Sequence, residues 1–148
     1  MLIFLDLDGV MVPMAGWKLP KNMDDGFPMF SKKATDALQR LISSDTNVIL
    51  STSHRDKFTI SEWKEIFNRR GLKIEKLSCL ESNKNFEKKR KDEILGWFSS
   101  HQVNDRFIII DDDKTLNGLP EHLKQHLILT SPLVGLTSEH LAQVQTRI

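Results

Sequence analysis

The sequence predicts an α/β protein of three layers, in which a parallel sheet is covered by helices on both faces. Short apolar runs alternate along the chain with longer segments of helical periodicity, and this alternation is typical of a parallel sheet. The run Phe-Ile-Ile-Ile at 107–110 is continuous and β-branched, as a strand buried on both faces should be. The chain has 148 residues, the length of one ordinary domain, and we expect residues 1–148 to form that domain.

Composition argues against several functional classes. The 21 Lys and Arg residues against 20 Asp and Glu give a formal charge of +1, so no global field favours nucleic acid or an anionic membrane. The single cysteine, Cys79, cannot form an intrachain disulfide, which favours a reducing, cytoplasmic location. The apolar run at the start is too short to span a membrane and is interrupted by two aspartates, so we expect neither a signal peptide nor a membrane partner.

The first predicted strand covers residues 1–5 and leads directly into Asp6-Leu7-Asp8-Gly9-Val10. Residues 12–30 have no steady period and contain three prolines, two glycines and three methionines. Loops of this length in compact domains are usually lids or binding loops, so we expect a flap here, with a surface loop packed by its own side chains as an equal alternative. Ser31 then has the position of a helix N-cap, ahead of apolar residues at helical spacing.

A second predicted strand at 48–50 opens into the polar segment Ser51-Thr52-Ser53-His54-Arg55. A helix should follow, because Thr59 and Glu62 have the spacing of a capping box and Gly71 has the position of a stop. Residues 72–83 are ambiguous between a short extra strand and a loop. The remaining predicted elements are a helix over 84–100 that is basic in its first half, strands at 107–110 and 127–130, and a closing helix from about residue 138.

Polar side chains follow three of the predicted strands at the point where each strand ends. They are Asp6 and Asp8 after the first strand, Ser51 and Thr52 after the second, and Asp111 and Asp112 after 107–110. The carboxyl ends of parallel strands share one edge of the sheet, which is where ligands bind in open α/β folds. Clustered carboxylates require a cation such as Mg²⁺, or one acts as a nucleophile and another carries protons. The simplest alternative is turn chemistry before Gly9.

These segments resemble the haloacid dehalogenase (HAD) superfamily of phosphohydrolases over nearly the whole chain. DLDGV resembles the family's first motif, VILS its second, the basic helix the region of its third, and IIIDDD its acidic fourth. With the late segment LILTSPLVGLT, the layout is similar to small HAD domains associated with bacterial RNA-repair proteins. The resemblance implies a Rossmann-like sheet without a large cap domain, a phosphatase activity, and Mg²⁺ as the cofactor.

The resemblance also implies roles for individual residues. Asp6 would attack phosphorus and form an aspartyl-phosphate, while Asp8 would protonate the leaving oxygen and later deprotonate the attacking water. Ser51 would bind a phosphoryl oxygen, with Thr52 as the alternative if the strand ends one residue later. The implied Mg²⁺ ligands are Asp6, the backbone carbonyl of Asp8, Asp111 and Asp112.

Four basic residues at 88–91 occupy the region of the third motif. Lys89 is the first choice for the catalytic lysine, and Lys91 is the second. Arg55 is predicted to bind the substrate phosphate through both of its terminal nitrogens. His54 is predicted to be a surface or hydrogen-bonded residue rather than a catalyst.

Without a large cap, the site should admit a bulky phosphomonoester such as a nucleotide, a nucleic-acid end or a phosphoprotein. The basic residues of 84–91, together with Arg55, would supply the local positive charge that a polynucleotide needs. Two alternatives stay open. One is a receiver-like phosphoacceptor domain, and the other is a non-catalytic accessory domain of nucleic-acid repair with the same fold.

Overall fold

A parallel sheet forms the centre of the structure, as the alternation of segments predicts. The structure is a computed structural model that describes residues 1–14, 20–81 and 89–147. Within these ranges the strands are β1 (Leu2–Leu5), β2 (Asn47–Leu50), β3 (Lys76–Cys79), β4 (Phe107–Asp111) and β5 (Leu127–Leu129). They pair in the order β3-β2-β1-β4-β5, and every pairing is parallel.

Helices connect the strands on both faces of the sheet. They are α1 (Lys32–Leu41), α2 (Ile60–Arg69), α3 (Arg90–Ser100), α4 (Glu121–Lys124) and α5 (Glu139–Arg147), with short 3₁₀ turns at Arg55–Lys57 and Lys114–Gly118. Along β1, Ile3 and Leu5 pack into the core under α1, α2 and α5, whereas Phe4 packs into the opposite core under α3 and α4. The three-layer architecture predicted from the sequence is therefore confirmed.

The register of the sheet brings three polar residues to the same level. Leu5 of β1 pairs with Leu50 of β2 and with Ile110 of β4. The next residue on each strand is therefore Asp6, Ser51 or Asp111. The strand order also reverses between β1 and β4, because β2 and β3 lie on one side of β1 and β4 and β5 on the other. Open α/β sheets bind their ligands in the crevice at such a reversal.

The helix ends predicted at Ser31, Thr59 and Gly71 agree with the structure. Ser31 accepts a hydrogen bond from the backbone of Ala34, and Thr59 and Glu62 form both bonds of a capping box. Gly71 has a φ of +83°, a conformation that ends α2 and suits glycine. The ambiguous segment 72–83 contains the edge strand β3.

Two features of the chain differ from the prediction. Lys89 has an extended backbone and is the N-cap of α3, so the helix predicted over 84–100 begins at Arg90 in the described residues, and 84–88 lie outside them. The short helices between β4 and β5 were not predicted, because one turn of helix shows no measurable periodicity. None of the helices in the described ranges is long and apolar enough to cross a bilayer.

The segment predicted as a flap, 12–30, is only partly described, since 15–19 lie outside the described residues. Its second half packs against α2, with Phe27 and Phe30 both buried in the core. The alternative of a surface loop packed by its own side chains stays open. A flap that closes over the site stays a prediction.

Candidate active site

The carboxylates predicted to hold a metal lie together at the carboxyl ends of β1 and β4. One oxygen from each of Asp6, Asp111 and Asp112 lies within 4.8 Å of the other two. Asp111 is fully buried and Asp6 is 4% exposed. The side chain of Asp8 lies outside this group and contacts His54. Asp8 would therefore bind a metal through its backbone carbonyl, which is the atom predicted from the sequence.

The protein environment disfavours negative charge on this group. Burial, followed by the nearby charge of Asp111, raises the pKa of Asp6 to about 8. Burial also raises the pKa of Asp112. A cation bound by these carboxyls would displace their protons into solvent, because its positive charge stabilises the ionised carboxylates.

Arg90 is the basic residue that the structure brings to the carboxylates. Its Nη1 atom lies 2.5 Å from Oδ2 of Asp111 and 3.4 Å from Oδ1 of Asp6. Burial opposes the positive charge, but the two aspartates outweigh it and raise the pKa of Arg90. Arg90 thus occupies the place that the sequence analysis gave to a lysine.

Neither of the lysines chosen from the sequence contacts the carboxylates. Lys89 is exposed at the N-cap of α3, and the Nζ atom of Lys91 lies beside Gly118. The choice failed because it depended on where α3 begins. The acidic residues Asp92 and Glu93 favour the first turn of a helix, and they were the available signal that the helix begins after Lys89.

Ser51 presents a buried hydroxyl without a partner. Its side chain is fully buried beyond β2, and its Oγ atom has no hydrogen-bond partner among the described residues. A buried hydroxyl of this kind is costly unless a ligand uses it. Thr52, the alternative choice, is already engaged, because its Oγ1 accepts a hydrogen bond from the backbone of His54 at 3.2 Å.

The packing around residue 9 explains why a glycine follows the two aspartates that come after β1. Its φ is +79°, and a Cβ atom at this position would lie 2.1 Å from Oδ2 of Asp112. The glycine therefore lets the Asp112 carboxylate lie directly against the loop after β1. Thr130, at the end of β5, fixes the same loop by donating to the Gly9 carbonyl at 2.7 Å. The simplest alternative, in which the aspartates only form a turn before Gly9, does not account for this packing.

Arg55 does not have the position predicted for a phosphate ligand, because its guanidinium is engaged inside the protein. The side chain is 6% exposed and donates to the backbone carbonyls of Leu80 at 2.8 Å and Thr52 at 3.0 Å. It also forms an ion pair with Glu93 of α3. These internal contacts link the loop after β2 to α3, and we assign Arg55 a structural role.

The hydrogen bond of His54 was not predicted in detail. Its Nε2 atom lies 2.7 Å from Oδ2 of Asp8, at the opening of the site. The structure agrees with the prediction of a surface or hydrogen-bonded histidine. No sequence signal identified Asp8 as its partner, because the two residues are 46 positions apart.

A Rossmann-like parallel sheet with a buried acidic cluster at its strand reversal, together with the DLDGV and IIIDDD motifs, defines a HAD-type domain. A family model described as "HAD domain in Swiss Army Knife RNA repair proteins" matches residues 2–141, and the chain belongs to this family. Comparison with curated proteins and with solved structures gives no match. Membership supports a phosphohydrolase of the HAD type in general terms.

Proposed function

We propose that the protein is a Mg²⁺-dependent phosphohydrolase that cleaves a phosphomonoester through an aspartyl-phosphate on Asp6. The observation that carries this proposal is the juxtaposition of three groups at the strand reversal. These groups are the buried cluster of Asp6, Asp111 and Asp112, the unpartnered hydroxyl of Ser51, and the guanidinium of Arg90.

The residues present fit a magnesium ion. Mg²⁺ prefers oxygen ligands, and each of the three aspartates offers a carboxylate oxygen within 4.8 Å of the other two. Asp6, Asp111 and Asp112 would hold the ion, together with the backbone carbonyl of Asp8. When bound, the ion would offset charge on the carboxylates and on the transferring phosphoryl group.

The protein's own residues account for the two halves of the reaction. A carboxylate oxygen of Asp6 attacks phosphorus, the ester P–O bond breaks, and Asp8 gives its proton to the departing oxygen. Asp8 then accepts a proton from a water molecule whose oxygen attacks the phosphorus of the acyl phosphate. Phosphate leaves, and Asp6 is regenerated as a carboxylate.

Two further residues would stabilise charge during the transfer. The Ser51 hydroxyl lies one residue beyond β2, next to Asp6 in the register of the sheet, and would donate to a non-bridging phosphoryl oxygen. Arg90 balances the charges of Asp6 and Asp111 while Asp6 turns from carboxylate to acyl phosphate. Positioned donors and charges of this kind are usually the main source of catalysis in phosphoryl transfer.

We further propose that the substrate is a phosphorylated nucleic-acid end. The family description names RNA repair proteins, and the described residues include no cap domain that would exclude a polymer. Most of the basic run that would contact a polynucleotide, 84–88, lies outside the described residues. The substrate class therefore depends mainly on family membership and on the open site.

The strand order argues against the receiver-like alternative. In receiver-type sheets β1 lies between β2 and β3, whereas here β1 lies between β2 and β4. A non-catalytic accessory role would not need the complete set of Asp6, Asp8, Ser51 and a balancing cation. The presence of the whole set supports the enzyme.

The test is a screen for phosphate release in the presence of Mg²⁺. It compares sugar phosphates, nucleotides, and oligonucleotides phosphorylated at either end, with Asp6→Asn as the control. We expect the oligonucleotides to be the best substrates and the variant to be inactive. A preference for sugar phosphates would contradict the proposed substrate class, and activity in Asp6→Asn would remove the proposed nucleophile.

A further inference from the structure

The contact between His54 and Asp8 has no part in the function proposed so far. The two side chains are joined at 2.7 Å from Nε2 to Oδ2, and they come from the loops after the neighbouring strands β2 and β1. The His54 side chain is 26% exposed and that of Asp8 is 38% exposed, so the pair lies at the mouth of the site. We propose that His54 is a positioning residue that holds the Asp8 carboxyl in the orientation for proton transfer. This inference rests on the proposed phosphohydrolase function.

The backbone of His54 is held in place by its own loop. The backbone N–H of His54 donates to Oγ1 of the buried Thr52 at 3.2 Å, and the His54 carbonyl accepts from the backbone of Lys57 at 2.9 Å. The next residue, Arg55, is tied to the carbonyl of Leu80. These contacts hold the backbone of His54 in a fixed position, from which its imidazole reaches Asp8.

The imidazole ring is held by an aromatic contact from the segment 12–30. Phe27 lies against His54 with ring centroids 5.8 Å apart and an interplanar angle of 81°, an edge-to-face arrangement. Phe27 is 3% exposed and also contacts the rings of Phe58 and Trp63. Edge-to-face pairs are favourable and directional, so this packing restricts rotation of the histidine ring.

Arg70, just beyond the end of α2, fixes the segment that carries Phe27. Its guanidinium donates to the carbonyls of Phe27 at 2.8 Å and Pro28 at 3.0 Å. It also pairs with both carboxylate oxygens of Asp25, at 2.7 and 3.0 Å. A continuous series of contacts thus runs from α2 through Phe27 and His54 to the carboxyl of Asp8.

The side chain of Asp8 is half-exposed, and it transfers a proton in both steps of the proposed reaction. Asp8 gives its proton to the ester oxygen as the P–O bond breaks, and it takes a proton from water as the acyl phosphate is cleaved. The bond to His54 engages Oδ2 of Asp8 and would hold the carboxyl in one orientation, with Oδ1 as the oxygen for proton transfer. A free aspartate would distribute over several rotamers, and only some of these point at the leaving group.

The experiment compares His54→Ala, His54→Gln and the control His122→Ala, an exposed histidine on α4. The amide nitrogen of glutamine can replace imidazole Nε2 as the partner of Asp8. The readout is kcat/KM for two esters, one with an acidic phenol as leaving group and one with an alkyl alcohol. This parameter reports the steps up to the first phosphoryl transfer, and only the alkyl ester depends strongly on protonation of the leaving oxygen.

We expect His54→Ala to lower kcat/KM for the alkyl ester by about 10²-fold and for the aryl ester by less than about fivefold. His54→Gln should recover most of the loss, and His122→Ala should match wild type. Binding of Mg²⁺ alone, measured by calorimetry, should be unchanged in both His54 variants, because the carboxylates of the metal cluster do not contact His54. Should His54→Ala fail to fold, Phe27→Leu should show a smaller loss with the same dependence on the leaving group.

An equal loss on both esters, or no loss on either, would overturn the positioning role while wild type remained an active, Asp6-dependent phosphatase. Complete absence of hydrolysis by wild type would instead remove the proposed function, and this inference with it. The two failures are therefore distinguishable in one set of assays.

Discussion

Arg90 contacts Asp111 at the end of β4, with Nη1 only 2.5 Å from Oδ2. The same nitrogen lies 3.4 Å from Asp6, so one guanidinium serves the end of β1 and the end of β4 together. Arg90 is 13% exposed, and its contacts are made inside the site rather than at its rim.

Replacing Arg90 should impair catalysis far more than replacing its neighbour. We expect Arg90→Met to lower kcat by about 10²-fold or more, because the charge that balances Asp6 and Asp111 is lost from a buried site. Lys89→Met should stay within about twofold of wild type, since Lys89 is exposed at the N-cap of α3. Steady-state kinetics on one phosphomonoester tests both. A larger loss in Lys89→Met than in Arg90→Met would restore the assignment made from sequence alone.

Asp6 should make the metal-free protein less stable as the pH rises. Its pKa is raised from 3.8 in the ordinary case to about 8 in the folded chain. As the pH rises between these values, the unfolded chain releases this proton and the folded chain keeps it, so the unfolded state is favoured progressively. In chelator we expect Asp6→Asn to raise Tm by several degrees at about pH 8 and to have little effect near pH 4.

The control for this pH dependence is Asp45→Asn, which removes an exposed carboxylate and should leave the Tm curve unchanged. Thermal unfolding, monitored by circular dichroism across the pH range, measures Tm for both variants and wild type. If Asp6→Asn were less stable than wild type at pH 8 without metal, ionisation of Asp6 would not be what destabilises the metal-free protein.

Mg²⁺ should stabilise the folded protein through the acidic cluster. An ion that binds only the folded state at about 100 times its Kd adds about 2.7 kcal/mol to the free energy of unfolding. We expect this gain in wild type and most of it to be lost in Asp111→Asn. Asp113→Asn is the matched control, because Asp113 accepts hydrogen bonds from Thr115 and lies outside the cluster. Equal gains in Asp111→Asn and wild type would place the ion elsewhere.

Ser51→Ala should separate stability from activity. Removing a buried hydroxyl that has no partner in the described residues should leave the free energy of unfolding unchanged or raise it by about 1 kcal/mol. The same change should lower kcat/KM by at least about tenfold, because a phosphoryl oxygen loses its donor. Ser53→Ala, at an exposed position nearby, is the control for both measurements. A destabilised Ser51→Ala with normal activity would contradict the proposed role.

Much of the fold could be predicted because its signals are local. The apolar runs ahead of Asp6, Ser51 and Asp111 define three central strands, and their polar ends meet at one edge because the strands are parallel. The caps at Ser31 and Thr59 involve residues three positions apart. Short-range patterns of this kind are readable without tertiary information.

The parts of the site that could not be predicted depend on contacts between distant residues. The ion-pair partner of Arg55 is Glu93, 38 positions later, and the partner of His54 is Asp8, 46 positions earlier. The choice of Arg90 over its neighbours depends on where α3 begins, and a shift of one residue turns a side chain by about 100° around a helix. Sequence could locate the basic run, but only the fold decides which member faces Asp6.

The most direct measurement of the central claim is the trapping of the covalent intermediate. The enzyme is mixed with a labelled phosphomonoester and Mg²⁺, quenched in acid within the first turnover, and digested for mass spectrometry. We expect phosphate on the peptide that contains Asp6, none in Asp6→Asn, and none when Mg²⁺ is withheld. Turnover without a phosphorylated Asp6, or phosphate on a different residue, would contradict the account.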